Sequence, residues 1–432
     1  MRRLDRNARA DGPPRSRPSG RASFTHPASP SSLPRNRPSA SHLPTPPSAE
    51  EALLLRAARM GGAAMAVDAS SVNVAEVDGE RLVGLAERHR MIPLLHRHLR
   101  GAALPPSLAE RLRARNAEEV HRALRLAGEL RRLLGTLSAA GVEALAYKGP
   151  PLAVQAYGDL SLRSYVDLDL LVRPGDVPQA LDVLAAAGYA PALHLTPAQE
   201  RWFRRVDGDY PLVHAGTGLL VELHARVSSL RFCMPIDTDQ LIRRSRTVPV
   251  GGGEVRTPGD DDLLLVLLVH GAKHRWKRLE WLAAVAALLR AGHGNVATVL
   301  TRAAELGARR TALLGLHLAH HVLDAPLAGE VTRDISADAG LAPLAREARE
   351  RWFASESDRG DADDAGATRA NLRYNLALRD GPGDRARYVA RWLFGPGPED
   401  WGWTRLPDAL FPLYRVLRPL RLLARHGAGG GR

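Results

Sequence analysis

Arg163-Ser164-Tyr165-Val166-Asp167-Leu168-Asp169-Leu170-Leu171-Val172 turns strongly apolar and branched from Val166 onward, a composition and length suited to a short buried strand. Side chains two apart on a strand share a face, so Asp167 and Asp169 project together. Two carboxylates side by side on an apolar strand repel each other unless a cation lies between them. Hard divalent ions such as Mg²⁺ take such oxygen ligands, usually with substrate phosphates completing the shell. The pair therefore points to phosphoryl or nucleotidyl chemistry, the plainer alternative being two solvated acids at a strand end.

The flanking sequence adds parts that this chemistry needs. Residues 143–148 fit a short strand, and Lys148-Gly149 then turns into a helix begun by Pro150-Pro151 and running to about Tyr157. A glycine at such a turn lets backbone approach phosphates, the helix N-terminus favours anions, and Lys148 offers a point charge. A helix at 177–187, a strand at 189–193 and a short helix at 197–205 follow. Residues 209–214 and 219–225, joined by Ala215-Gly216-Thr217-Gly218, read as a β-hairpin. Its second strand places Glu222 and His224 on one face. Glu222 can complete a three-carboxylate cluster with Asp167 and Asp169, of the kind that holds two metal ions for an in-line displacement. His224 reads equally as a core-edge histidine or an acid/base, and turn chemistry accounts for Asp207 and Asp209.

Helical patterns surround this segment. They lie at 52–59, at 80–99 with a break at Pro93, and at 108–139 with a candidate break near Gly128 and with Ser107 and Glu110 spaced as a capping box. From Asp260 to about Phe353 nearly everything is helical; 355–367 reads as a loose acidic loop and 401–425 as a final basic helix. His270 and His274 share a helix face, but no Glu follows His270, so they read as packed or cleft-facing rather than as a zinc site. The expected fold is therefore α/β (α+β): a small mixed sheet embedded in N- and C-terminal helical segments. The expected divisions are a disordered Pro/Ser/Arg-rich tail at 1–47, a helical region at 48–140, the α/β core at 141–230 and a mainly helical region at 231–432.

Net charge is +13, but nine Arg against two acids in residues 1–49 place seven of those charges in the tail. The body is only weakly basic, which argues against long nucleic acid as a partner. No run approaches the roughly 20 apolar residues of a membrane span, and no signal peptide is legible. The single cysteine, Cys233, fits a reducing cytoplasm. Only three of the 60 Lys and Arg residues are lysines: Lys148, Lys273 and Lys277. Where arginine is the default cation, a retained lysine suggests a need for a compact ammonium. Lys273 and Lys277 share a helix face, and a solvated face is the plain reading of that pair.

The order of parts resembles the DNA-polymerase-β-like nucleotidyltransferases, and more closely the bacterial "uncharacterised nucleotidyltransferase" family within them. The words that carry the resemblance are Tyr147-Lys148-Gly149, Tyr157-Gly158-Asp159, Arg163 with Asp167-Leu168-Asp169-Leu170-Leu171-Val172, Gly188-Tyr189 and Glu222-Leu223-His224. Flanking text adds Ala86-Glu87-Arg88-His89 and His270-Gly271-Ala272-Lys273-His274-Arg275-Trp276. The resemblance implies Mg²⁺ (or Mn²⁺) at Asp167, Asp169 and Glu222, and a nucleoside triphosphate near Lys148, Gly149, Arg163 and Ser164. It implies transfer of a nucleoside monophosphate to an acceptor hydroxyl, the acceptor being a small molecule, a peptide or a protein. Two departures stand out. The superfamily's Gly-Ser pair is Gly149-Pro150 here, and Ala283-Ala284 stands after Glu280-Trp281-Leu282 where an acid is expected. They keep a rival in view, a catalytically lapsed nucleotide- or partner-binding module. A D-x-D glycosyltransferase is a second rival, though it calls for a βαβ series where this chain has long helices.

Overall fold

The computed structural model describes residues 47–60, 77–354 and 364–427, so the expected tail lies, apart from Pro47, outside the described residues. A mixed five-stranded sheet is set among helices, which makes the chain α/β. Its strands are β1 Ala144–Ala146, β2 Asp167–Val172, β3 Tyr189–Pro191, β4 Asp209–His214 and β5 Leu220–His224. They lie in the order β1-β2-β5-β4-β3. Strands β2 and β5 pair in parallel, with Asp167 opposite Leu220 and Asp169 opposite Glu222. The remaining pairs are antiparallel, including the expected β4–β5 hairpin, which sets Asp209 opposite His224. Register alone thus brings the two acid-bearing strands together.

One face of β2 carries Leu168, Leu170 and Val172 into a core shared with Ala123, Leu126, Leu130 and Leu133 of the helix Pro106–Ala139. The other face gives Leu171 to a second core, built on the helices Asp260–Lys273 and Leu279–Arg290. Asp167 and Asp169 precede Leu171 on that face. The sequence thus supplies an apolar strand whose leading end alone is polar, and that end opens into a cleft.

Several local expectations change. The long helix is unbroken at Gly128, and the capping box at Ser107 is not formed. Pro106 takes the first helical position, where its missing N–H costs nothing, so the helix begins before Ser107. The break expected at Pro93 falls at Arg90, φ 55°, between the helices Gly79–Arg88 and Ile92–His98. Residues 355–363 lie outside the described residues, and a helix begins at Asp364 within the expected loop. A second hairpin, β6 Arg246–Val250 and β7 Gly253–Thr257, was not anticipated. Its signal was legible in Val248-Pro249-Val250 followed by glycines at the turn. Among the described residues no helix is long and apolar enough to cross a membrane.

The two central helices meet at a tight turn, 274–278, where Arg275 and Trp276 both hold left-handed backbone, φ 55° and 52°. Such conformations are costly for residues with side chains and persist only when the surroundings fix them. Trp276 is fully buried, its N–H donates to the Gly271 carbonyl at 2.7 Å, and its own carbonyl accepts from Trp352 Nε1 at 2.5 Å. A Cβ on Gly271 would lie 2.4 Å from the Trp276 ring. Gly271→Ala therefore overpacks the turn, and we expect a loss of about 2–3 kcal/mol in urea unfolding. A wild-type midpoint would show that the ring has room to retreat.

Candidate active site

A cavity of about 230 Å³ opens where the polar end of β2 meets the turn between the central helices. Asp167, Asp169, Glu222 and His224 line it from the sheet, with Asp207 and Asp209 beside them. Lys148 enters as the residue capping the helix Gly149–Tyr157. Arg90, Lys273, His274, Lys277 and Arg278 line it from helical turns. All three lysines of the chain face this one space.

The tightest group is Asp169, Glu222 and His224, whose donor atoms lie within 4.8 Å of one another. His224 Nε2 sits 3.3 Å from Asp169 Oδ1 and 3.3 Å from Glu222 Oε2. It is buried and aimed between these two carboxylates, within ion-pair distance of both. Two carboxylates and an imidazole form a donor set that fits a divalent ion. Asp167 lines the same cavity but stands outside that tight group. Lys148 Nζ donates to Asp169 Oδ1 at 2.7 Å and lies over the Tyr147 ring.

Residues 75–324 match the model of the family described as uncharacterised nucleotidyltransferase, a span that includes the whole sheet and both central helices. The chain belongs to that family. Compared with curated proteins and with solved structures, it matches none significantly.

The site residues that the family resemblance implied are not all brought to one place. Arg163 lines the cavity, but its guanidinium forms a buried ion pair with Glu280. The loop that carries Arg163 is fixed by Asp159, which accepts from Ser161 N, and by the Tyr165 hydroxyl, which donates to the Ala123 carbonyl at 3.2 Å. Gly149 starts its helix at φ 61°, a backbone conformation that calls for glycine, and is not among the residues lining the cavity. Ser164 is buried behind the wall and likewise does not line it.

Other residues gain roles that the sequence did not reveal. His89 Nδ1 accepts from Leu279 N at 3.1 Å and its Nε2 reaches the Trp352 carbonyl at 2.9 Å, which ties the start of the Leu279–Arg290 helix in place. Asp207 accepts from Ser229 Oγ at 2.7 Å and pairs with Arg231, so it does more than shape a turn. His270 and His274 are cleft-facing, packed edge-to-face 4.7 Å apart and each against Trp281. Burial and the neighbouring lysines hold both imidazoles neutral, His274 at a pKa of about 3.

Electrostatics divide the acids. Burial raises the Asp167 pKa, and the Asp169 and Glu222 charges raise it further. Burial would also raise Asp169, but Lys148 and His224 overcome it and hold that carboxyl well below its ordinary range. Burial would lower His224, yet Asp209, Asp169 and Glu222 push it up to about 9. A histidine raised in the fold stabilises fully below its unfolded pKa near 6.5, and that stability is lost as pH rises through about 9. In chelator, urea unfolding should therefore show roughly 3 kcal/mol less stability near pH 10 than near pH 6 from this group. His224→Gln should flatten that decline; an unchanged decline would assign it to other groups.

Proposed function

We propose that this protein moves a nucleoside monophosphate from a nucleoside triphosphate to an acceptor hydroxyl, releasing pyrophosphate, with Mg²⁺ or Mn²⁺ held by Asp167, Asp169 and Glu222. The observation that carries the reading is the parallel β2–β5 register, which sets Asp169 beside Glu222 in a cavity shared with Lys148. His224, on releasing its proton to a bound metal, would add an imidazole to the oxygen set, which suits Mn²⁺ alongside Mg²⁺. A bound divalent ion would supply stabilisation of negative charge on the reacting phosphate oxygens. Glu222, 38% exposed at its side chain and so open to the cleft, accepts the acceptor's proton. Lys148 offsets the Asp169 charge and presents an ammonium to the phosphates; Arg163, braced by Glu280, presents a guanidinium.

The departure at Ala283-Ala284 does not weaken this reading. Both alanines are fully buried in the helical core and are not among the cavity-lining residues, so catalysis need not suffer from the change there. The acceptor we propose is a small molecule, peptide or protein, in keeping with a cavity of about 230 Å³. A cytoplasmic location is proposed from the single, buried, free cysteine. The test is incubation with α-labelled triphosphates, Mg²⁺ or Mn²⁺, and pools of hydroxyl-bearing acceptors. The expected result is labelled acceptor with equimolar pyrophosphate, absent in Asp169→Asn. Transfer that persists in Asp169→Asn would place the chemistry elsewhere.

A further inference from the structure

Resting on the nucleotide reading above, we infer that Lys273, Lys277, Arg278 and Arg90 form a grip for the β- and γ-phosphates of the triphosphate, in the same cleft as the carboxylates. The argument begins with which cations are already engaged. Lys148 is ion-paired with Asp169, and Arg163 with Glu280. Among the described residues, none of the four cations of the grip has a carboxylate oxygen within ion-pair distance, although all four line the cavity. Arg278 stacks over the Trp281 ring, 5.7 Å from its centre, which orients the guanidinium without neutralising it.

Unpaired cations gathered in one cleft repel one another, and the fold carries two devices that hold them there. Lys277 and Arg278 leave the strained 274–278 turn, and Lys273 ends the helix before it. That turn is clamped by buried Trp276, by the Arg351 Nη1 bond to the Arg275 carbonyl at 3.2 Å and by His89 on Leu279 N. Arg90 is delivered by a second left-handed turn. Three of the five non-glycine residues with positive φ among those described thus shape this wall. The like charges lower the proton affinity of Lys277, after burial and through Arg278 and Arg90, as expected of a site awaiting an anion. Four unpaired positive charges match a polyphosphate tail. Two of them are among the three lysines of a chain with 60 Lys and Arg, and a compact ammonium can reach single phosphate oxygens where a planar fork cannot. The grip's role is to bind the tail and stabilise charge as it accumulates on the departing pyrophosphate.

Calorimetry on the full chain tests this without knowledge of the acceptor. The probes are inorganic tripolyphosphate without metal, and each of the four nucleoside triphosphates and monophosphates with Mn²⁺. Lys273→Ala/Lys277→Ala should weaken tripolyphosphate and triphosphate binding at least about tenfold while leaving monophosphate affinity within about twofold. An unchanged urea unfolding midpoint in the alanine variant, together with its retained monophosphate affinity, excludes a folding defect. Wild-type protein that ignores tripolyphosphate, or an alanine variant that binds it as wild type does, overturns the grip. Tripolyphosphate binding without any nucleotide binding overturns it by a different route, because the nucleotide reading itself then fails.

Discussion

Asp167→Asn should raise the stability of the metal-free protein, and Asp169→Asn, two residues along the same strand, should lower it by about 3 kcal/mol. Both should reduce nucleotidyl transfer at least about a thousandfold. The opposite signs in stability follow from the surroundings of the two carboxyls. Asp167 is raised by burial and by the Asp169 and Glu222 charges, so above its folded pKa its ionised form destabilises the fold, and an amide removes that burden. Asp169 is held low by Lys148 and His224, so its charge stabilises the fold from neutral pH down to its depressed pKa. Losing that charge leaves the Lys148 ammonium, 12% exposed, without its ion-pair partner and the buried His224 with Glu222 but not Asp169 beside its Nε2. Differential scanning calorimetry in chelator reads both signs. Equal shifts in the two variants would mean that the pair is electrostatically equivalent and that the account of the site is wrong. A variant that is more stable and yet inactive is what a metal site built from repelling acids should yield.

Breaking the Arg163–Glu280 pair should have the second large effect. Both side chains are at most 5% exposed, so either Arg163→Ala or Glu280→Ala strands a buried charge at a cost of about 3–5 kcal/mol. Replacing both, as Arg163→Met/Glu280→Leu, should recover most of that stability, because no charge is left unpaired and volume is roughly kept. Nucleotide affinity should not recover with it, since Arg163 faces the cleft. Chemical denaturation of the three variants, with nucleotide titration of the double, separates the two roles. A double variant that binds nucleotide as wild type does would make Arg163 a structural residue only.

What was legible in the sequence follows the reach of local patterns. The β2 strand and the β4–β5 hairpin were readable because alternation and a glycine-bearing turn are short-range signals, and they carried Asp167, Asp169 and Glu222 with them. The lysine bias was readable too, and it marked the three residues that meet in the cavity. The pairing partners were not. Nothing local to Arg163 announces Glu280, and nothing local to His224 announces that its ring nitrogen faces Asp169 across a parallel register. Turn chemistry suffices locally to explain Asp207 and Asp209, whereas only the sheet sets Asp209 opposite His224. Two local signals mislead: Pro93 sits in a first turn, where proline is at home, and Pro106 starts the long helix ahead of the Ser107 capping box, while the true break at Arg90 has no sequence marker.

The central claim is that the acid end of this cavity holds a metal-bound nucleoside triphosphate. It is tested most directly by calorimetric titration of the four triphosphates, with and without Mg²⁺ or Mn²⁺, into wild type and Asp167→Ala/Asp169→Ala. The account predicts binding by wild type that requires the metal and vanishes in the double variant. Metal-dependent binding that survives loss of both carboxylates would contradict it.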